Sequence, residues 1–447
     1  MISKLKDKFE LFDVTKVLFG LWIGSIFFPI RKVFLGPQSF TTGEYSDFLT
    51  YSLYLSQILL ILLIGWMLFR SRELPKLTKS STALFLLIIL SFLPNLSHIN
   101  EINLRYLSFL VIGVVSYGTV TLLSTKFDNL PLVFARLFSI FALFQAVLAF
   151  YQFLAHRSMG LGKLGEPVLS ALNFGVAKIV SGGTFIRGYG TFPHPNLLAV
   201  FLISIIFLNI WLILNQNSLK WRILHYTSLI VCVFALIITF SRGAWLAAVV
   251  GGLAFSIIYL LKFGWQKRFI FIGGSMIAAL LICFVLFRPF ILQRSDVSGE
   301  AWDKRGVYNH AAVEMIKDKP IFGLGAGKSM LHMQQYTETK LEPWDIQPIH
   351  NYYLLSAAEW GIPVALALIA FFVWHIILGF RAFKSSPDVQ RATWNLVLVT
   401  LLICFMILML FDHYFYTLMQ TQFLLWIILG FIAGESMLHA KHKTASN

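Results

Sequence analysis

The sequence predicts an all-α polytopic membrane protein with about twelve transmembrane helices. Of its 447 residues, 57% are hydrophobic and only 13% are charged, whereas a soluble domain carries roughly a quarter charged residues. Apolar runs of about twenty residues recur from end to end, each long enough to cross a hydrocarbon core of roughly 30 Å. The short alternating segments of a transmembrane barrel are not the pattern here.

The expected spans are 14–35, 47–69, 82–98, 104–124, 132–155, 195–215, 222–240, 243–261, 269–290, 361–380, 394–412 and 418–437. The third is short and carries Pro94. The basic start (Lys4, Lys6, Lys8) leads into the first run without a small-residue cleavage site, so that span is expected to be retained. The chain 1–447 reads as one integral membrane domain, without an evident internal repeat. A large outer loop with helical character, 291–360, separates the ninth and tenth spans.

Charge sets an expected orientation. The formal charge is +15, which in a soluble protein would suggest nucleic acid. Here the basic residues fall in alternate loops, as the positive-inside rule requires of cytoplasmic ones. With the N-terminus inside, cytoplasmic segments hold Lys4, Lys6 and Lys8; Arg70, Arg72, Lys76 and Lys79; Lys126; Lys220 and Arg222; Lys262, Lys267 and Arg268; Arg381, Lys384 and Arg391; and Lys441 and Lys443. Short outer connections hold Arg31, Lys32, Arg105 and Arg242. Both termini are therefore expected in the cytoplasm. The long segments 156–194 and 291–360, and the turns at Ser241–Gly243 and Asp412–Tyr414, then share the outer face, where a site should be sought.

One stretch there, "IFGLGAGKSM" at 321–330, imitates a phosphate-binding loop. The nucleotide pattern requires a glycine where Phe322 stands, and a strand before it, where "MIKDKP" reads as the end of a helix. Its glycines are expected to shape a turn, by positive φ or close backbone approach. The cysteines, Cys232, Cys283 and Cys404, lie in apolar runs and read as small core residues. No HExxH, CxxC or paired acidic motif suggests a metal cluster, so no metal site and no cofactor are expected.

Five other stretches carry candidate chemistry. In "FSRGAWLAAVVGG", Arg242 sits between two apolar runs. It is either a snorkelling interfacial arginine or an anion clamp, its planar fork suiting phosphate oxygens. Gly243 and Ala244 beside it would allow close approach of a ligand. In "WDKRGVYNHAAVEMIKDKP", Trp302, Arg305, Tyr308, Ala312 and Ile316 share one helical face. An arginine on an apolar face is costly unless it meets an anion.

In "PIHNYYLLSAAEWG", His350 and Asn351 open an apolar helix. An imidazole at a membrane boundary beside two arginines suits a general base. Glu359 is either its orienting partner or a buried structural acid. In "RGYGTFPHPN", two prolines bracket His194 in a rigid turn, and Arg187 could add a third positive charge. In "FDHYFYTL", Asp412 and His413 either orient the base or sit in water.

Together these stretches resemble the O-antigen ligase and O-antigen polymerase family. The resemblance rests on "GTFPHPN", "SRGAWL", the R…Y…A…KP…G.G.G loop, "HNYYLLSAAEWG" and "DHYFYTL", in that order, over most of the chain. Tyr308 stands where many relatives are expected to have Trp. The resemblance implies a membrane glycosyltransferase of polysaccharide or lipopolysaccharide biosynthesis. Its donor would be a glycan linked to undecaprenyl diphosphate, used at the outer face of the cytoplasmic (inner) membrane.

In that reading Arg242 and Arg305 bind the donor diphosphate and His350 deprotonates the acceptor hydroxyl, by metal-independent inverting displacement. Arg187, His194, Asn351, Glu359, Asp412 and His413 are possible supporting residues. The partners are the lipid-linked glycan, a glycan or lipid acceptor, and the bilayer, with no nucleic acid and no nucleotide. The resemblance leaves ligase against polymerase open. A transporter or flippase of lipid-linked oligosaccharide is the alternative of a different class.

Overall fold

The structure is a computed structural model that describes residues 2–41, 43–92, 101–173, 175–295, 300–386 and 388–446. Among these lie nine helices long and apolar enough to cross a membrane, and three shorter apolar ones, Val14–Ser25, Leu55–Ser71 and Lys79–Leu90. The chain is therefore an all-α polytopic integral membrane protein, with apolar helices at the places of the twelve expected spans. Part of the third expected span, including Pro94, lies outside the described residues.

Helix α1 (Ile2–Ser25) is followed by an element the hydropathy reading missed. Strands β1 (Arg31–Phe34), β2 (Phe40–Thr41), β3 (Glu44–Tyr45) and β4 (Tyr51–Tyr54) form two small antiparallel ribbons, β1 with β4 and β2 with β3. The first span thus ends at Ser25, well short of 35. The second, α2 (Leu55–Ser71), begins eight residues later than expected, after the 47–54 stretch. The cause is physical: a short apolar run fits a strand as well as a helix. Here Pro29 lies just beyond the helix end, where an interior Pro would have cost a hydrogen bond.

The next helices are α3 (Lys79–Phe92), α4 (Glu101–Lys126) and α5 (Leu130–Ala155). A ribbon of β5 (Lys178–Val180) and β6 (Thr184–Ile186) precedes α6 (Pro195–Asn215), α7 (Leu219–Ile238), α8 (Arg242–Phe263) and α9 (Lys267–Ser295). The expected outer loop contains α10 (Glu300–Asp318), α11 (Ser329–His332) and α12 (Tyr352–Trp360). Then follow α13 (Ile362–Ser385), α14 (Val389–Leu408), α15 (Tyr414–Thr417) and α16 (Met419–Ser446).

Helix α6 is the axis of the bundle. It is apolar on every side, the signature of a helix surrounded by others, and 94% of its most apolar window is buried, against 17% for α9. Its one mid-helix amide, Asn209, accepts from the Ser139 hydroxyl and donates to Ser228, at 2.8 and 3.0 Å. Such bonds join α5, α6 and α7 where lipid offers no competing water. The N-terminus of this buried axis opens directly onto the candidate site.

Candidate active site

Three local structures deliver the site residues to one end of the bundle. The first is the α7–α8 turn of only three residues, Thr239, Phe240 and Ser241. Phe240 takes φ +48°, a left-handed conformation costing a non-glycine residue roughly 1–2 kcal/mol. It is fully buried, so packing holds the turn. The turn places Arg242 at the first position of α8, whose early N–H groups have no acceptor inside the helix.

The second is the zipper between the start of α12 and the end of α14. Asn351 caps α12, accepting from the Tyr353 and Leu354 N–H groups at 3.0 and 3.1 Å. Its Nδ2 donates to the Leu410 carbonyl at 3.3 Å, Tyr352 N–H to Met409 O at 2.8 Å, and the Tyr353 hydroxyl to Met406 O at 2.9 Å. These bonds run the chain before α12 alongside the chain after α14, which sets His350 beside Asp412 and His413. The donor atoms of these three side chains lie within 4.8 Å of one another.

The third is α10. Its Tyr308 hydroxyl donates to the Asp345 carbonyl at 2.6 Å, and Lys304 pairs with the Asp345 carboxylate at 2.7 Å. So anchored, Tyr308 lies flat on His350, and Arg305, one turn earlier, enters the pocket. Trp302, on the same face by sequence, has its side chain outside the described residues.

The resulting pocket measures about 220 Å³. Arg242, Arg305, Asn196, Ser241 and Asp412 give it a polar wall; Val200, Leu246, Leu408, Phe411 and Phe415 give it an apolar one. Two long helices, α6 and α8, start at it. The α8 start offers an anion N–H groups without an acceptor inside the helix and a helix dipole; α6 adds its dipole alone, because Pro195 has no N–H and the Asn196 and Leu197 N–H groups bond His194. With two guanidinium groups added, the site suits a phosphate-bearing ligand with an apolar tail.

A hydrogen-bonded chain stands behind the pocket. Arg187 is buried; its Nε donates to the Thr239 carbonyl and its Nη2 to Asn196 Oδ1, both at 2.6 Å. Asn196 Nδ2 then donates to Asp412 Oδ2 at 3.1 Å, and the His413 N–H to Asp412 Oδ1 at 3.0 Å. His194 caps α6: its Nδ1 accepts from the Asn196 N–H at 3.1 Å, and so takes the Tyr414 hydroxyl proton at 2.8 Å. Arg187, expected as a third cavity charge, is instead turned to this scaffold. Asp412 and His413 do not sit in water but are buried.

Electrostatics divides the groups. Burial lowers the His350 pKa, Arg305 lowers it further, and Asp412 and the Pro348 carbonyl oppose them. Burial raises Asp412, while His350, Arg305 and its hydrogen bonds pull it back. Burial and the neighbouring His350, His194 and Arg305 drive His413 well below the imidazole range. Burial thus favours the neutral form of the His350 imidazole, with Asp412 within 4.8 Å of it, a placement suited to a general base.

The grouping of His350, Asp412 and His413 has metal-like spacing that the motif search did not foresee. Its surroundings suit a proton better than a cation. Arg305 shares the pocket, and both Asp412 oxygens already accept hydrogen bonds.

Glu359 lies elsewhere. Its Oε1 accepts from the Ser329 N–H and hydroxyl at 3.3 and 2.6 Å, and its Oε2 from the Gly327 N–H and Tyr416 hydroxyl at 2.6 and 2.5 Å. The loop resembling a phosphate cradle thus cradles the protein's own carboxylate. Gly323, Gly325 and Gly327 all take positive φ, as the turn reading requires.

Sequence reasoning missed Asn196, Tyr414, Phe48 and Arg105. The pattern "HPN" before a span was a signal for Asn196 as a helix-start residue. Nothing local marked Phe48, whose ring meets His413 edge-on at 5.2 Å.

No curated protein matches the chain. Residues 227–369 match a family model described as O-antigen ligase. The match begins in α7 and ends in α13, and so includes Arg242, Arg305, His350 and Glu359; Arg187, His194, Asp412 and His413 lie outside it. The end of the bundle where these residues meet therefore lies partly within a stretch, residues 227–369, that is similar to the O-antigen ligase family model.

Proposed function

We propose that the protein transfers a glycan from undecaprenyl diphosphate to an acceptor hydroxyl at the outer face of the cytoplasmic membrane, with both termini in the cytoplasm. The observation that carries this reading is one pocket lined by Arg242 and Arg305, with Asp412 on its wall and His350 against Asp412. The family match supports glycan transfer in general. The positive-inside pattern of the loops supports the side, and the pocket supports the donor and the residue roles.

The acceptor oxygen attacks the anomeric carbon, and the bond from that carbon to the diphosphate oxygen breaks. His350 takes the acceptor proton, and Asp412 stabilises the imidazolium that forms. Undecaprenyl diphosphate departs with its extra charge facing Arg242, Arg305 and the N-terminus of α8. These fixed donors supply the electrostatic stabilisation that a divalent cation supplies elsewhere. In-line displacement inverts the anomeric centre. A ligase would use a lipid core as acceptor and a polymerase a second lipid-linked repeat, by the same chemistry.

The test is release of undecaprenyl diphosphate by purified protein given lipid-linked glycan and either acceptor, without nucleotide and with chelator present. Turnover is expected with one acceptor, and its loss in His350→Ala and Arg242→Ala. Full turnover in both variants would sink the mechanism. Strict dependence on ATP or an added metal would overturn it equally.

A further inference from the structure

Arg105 is a fully buried arginine on a membrane-spanning helix, at 1% exposure. Burying a guanidinium costs several kcal/mol unless its donors are satisfied. Among the described residues its partners are backbone carbonyls from two distant segments. Nη1 donates to Asp47 O and Thr50 O, and Nη2 to Thr417 O at 3.4 Å. The Tyr106 and Phe109 rings face the charge at 5.8 and 5.2 Å.

Both segments end on His413. Between Asp47 and Thr50 lies Phe48, whose ring caps His413 and whose carbonyl accepts from Tyr106 Oη at 3.3 Å. Thr417 bonds His413 Nδ1 through its hydroxyl at 2.6 Å. His413 in turn meets the His350 ring edge-on at 5.0 Å and 88°. One guanidinium thus closes a ring of contacts around the histidine that backs the base.

We propose that Arg105 is a positioning residue. It buckles the 47–50 strap to α15 and so fixes His413, and through it His350. The proposal rests on the reading of His350 as base. It gives the ribbon between α1 and α2 a role in the reaction: the ribbon carries the strap.

Four forms of the full-length protein in detergent or nanodiscs test this: wild type, Arg105→Lys, Phe48→Ala and the double variant. A lysine keeps the charge but cannot reach three carbonyls as a fork. Each single variant is expected to lower kcat by about tenfold or more, since misplacement near 1 Å can cost that much. KM for the lipid-linked donor should stay within about twofold, because Arg242 and Arg305 stand on other elements. The double variant should match the worse single one, because both act through His413. Phe48→Leu should restore much of the rate.

Carbethoxylation of His413 by diethyl pyrocarbonate, followed by peptide mass spectrometry, reads the same geometry without activity. Wild type is expected to be protected, and Arg105→Lys and Phe48→Ala to be labelled. Additive losses in kcat, or unchanged protection of His413 in both variants, overturn the proposal. If wild type fails to transfer glycan, the reading of the reaction fails, while the labelling still decides for or against Arg105.

Discussion

The Tyr308 ring lies on the His350 ring, 13° from parallel with centroids 5.6 Å apart. This contact joins the helix that carries Arg305 to the imidazole proposed as base. It also covers a face of His350 that water would otherwise reach. Tyr308 is itself buried, and its hydroxyl is fastened to the Asp345 carbonyl.

Tyr308→Ala is therefore expected to lower kcat by about tenfold or more and to move the acid limb of the rate profile upward, towards the ordinary imidazole value. Tyr308→Phe keeps the stack and loses one hydrogen bond, worth about 1 kcal/mol of stability, so its kcat should stay near wild type. Tyr308→Trp should also remain active, since an indole can stack in the same place. Steady-state rates across pH for the three variants check the ordering; an Ala variant as active as Phe would remove the stack from the mechanism.

The pH dependence has a sign that the site dictates. His350 must be neutral to accept a proton, and its pKa lies below the ordinary value of 6.5, with burial the leading cause. Activity should be fully present above that lowered pKa and fall as pH drops through it, with a midpoint under 6.5. Asp412 raises the His350 pKa and Arg305 lowers it. Asp412→Asn should shift the midpoint down and Arg305→Gln should shift it up, whatever each does to the maximum rate. Shifts in the same direction would contradict the assignment of His350 as the titrating base.

Asn196 is the joint between Arg187 and Asp412, with an acceptor turned to one and a donor to the other. Asn196→Ala leaves both partners short of a hydrogen bond, at about 1–3 kcal/mol for each buried group. The expected result is a kcat loss of about tenfold or more. Asn196→Asp should be worse, because it sets a second carboxylate against Asp412. Kinetics with saturating donor, alongside a thermal shift in detergent, separate lost positioning from lost folding.

Legibility in the sequence followed chain distance. Arg242, Arg305 and His350 stand in motifs whose charge or polarity is odd for their apolar setting, so their chemistry could be read locally. Most of the helices were legible for the same reason: apolar length is a local property. The ribbon at 31–54 was not: β1 carries Arg31 and Lys32 and β3 carries Glu44, but the short stretches of Phe, Val, Tyr and Leu around them merged with the flanking apolar runs. Arg105 read as a loop charge, since only the fold shows that Asp47, Thr50 and Thr417 carbonyls meet its guanidinium. Glu359 had two readings, and only the fold shows its oxygens filled by Gly327, Ser329 and Tyr416.

The glycine loop supplies a last test, because it separates architecture from chemistry. Gly327 takes φ +73°, and a Cβ there would run into Ile102 and Tyr106. Its neighbour Ala326 accepts from Asn103 Nδ2 at 2.7 Å, so the loop cannot back away from α4. Gly327→Ala combines left-handed strain with overpacking, together about 2–5 kcal/mol. Glu359→Ala strands the Gly327 and Ser329 N–H groups and the Tyr416 hydroxyl, at about 1–3 kcal/mol each. Both variants should unfold at markedly lower temperature and yield less protein. Glu359 bonds groups outside the pocket, so the folded fraction should keep its acid-limb midpoint, unlike Tyr308→Ala. Thermal unfolding in detergent and a pH profile on the folded fraction give the two readouts. A displaced midpoint with unchanged stability would move Glu359 from the scaffold into the chemistry.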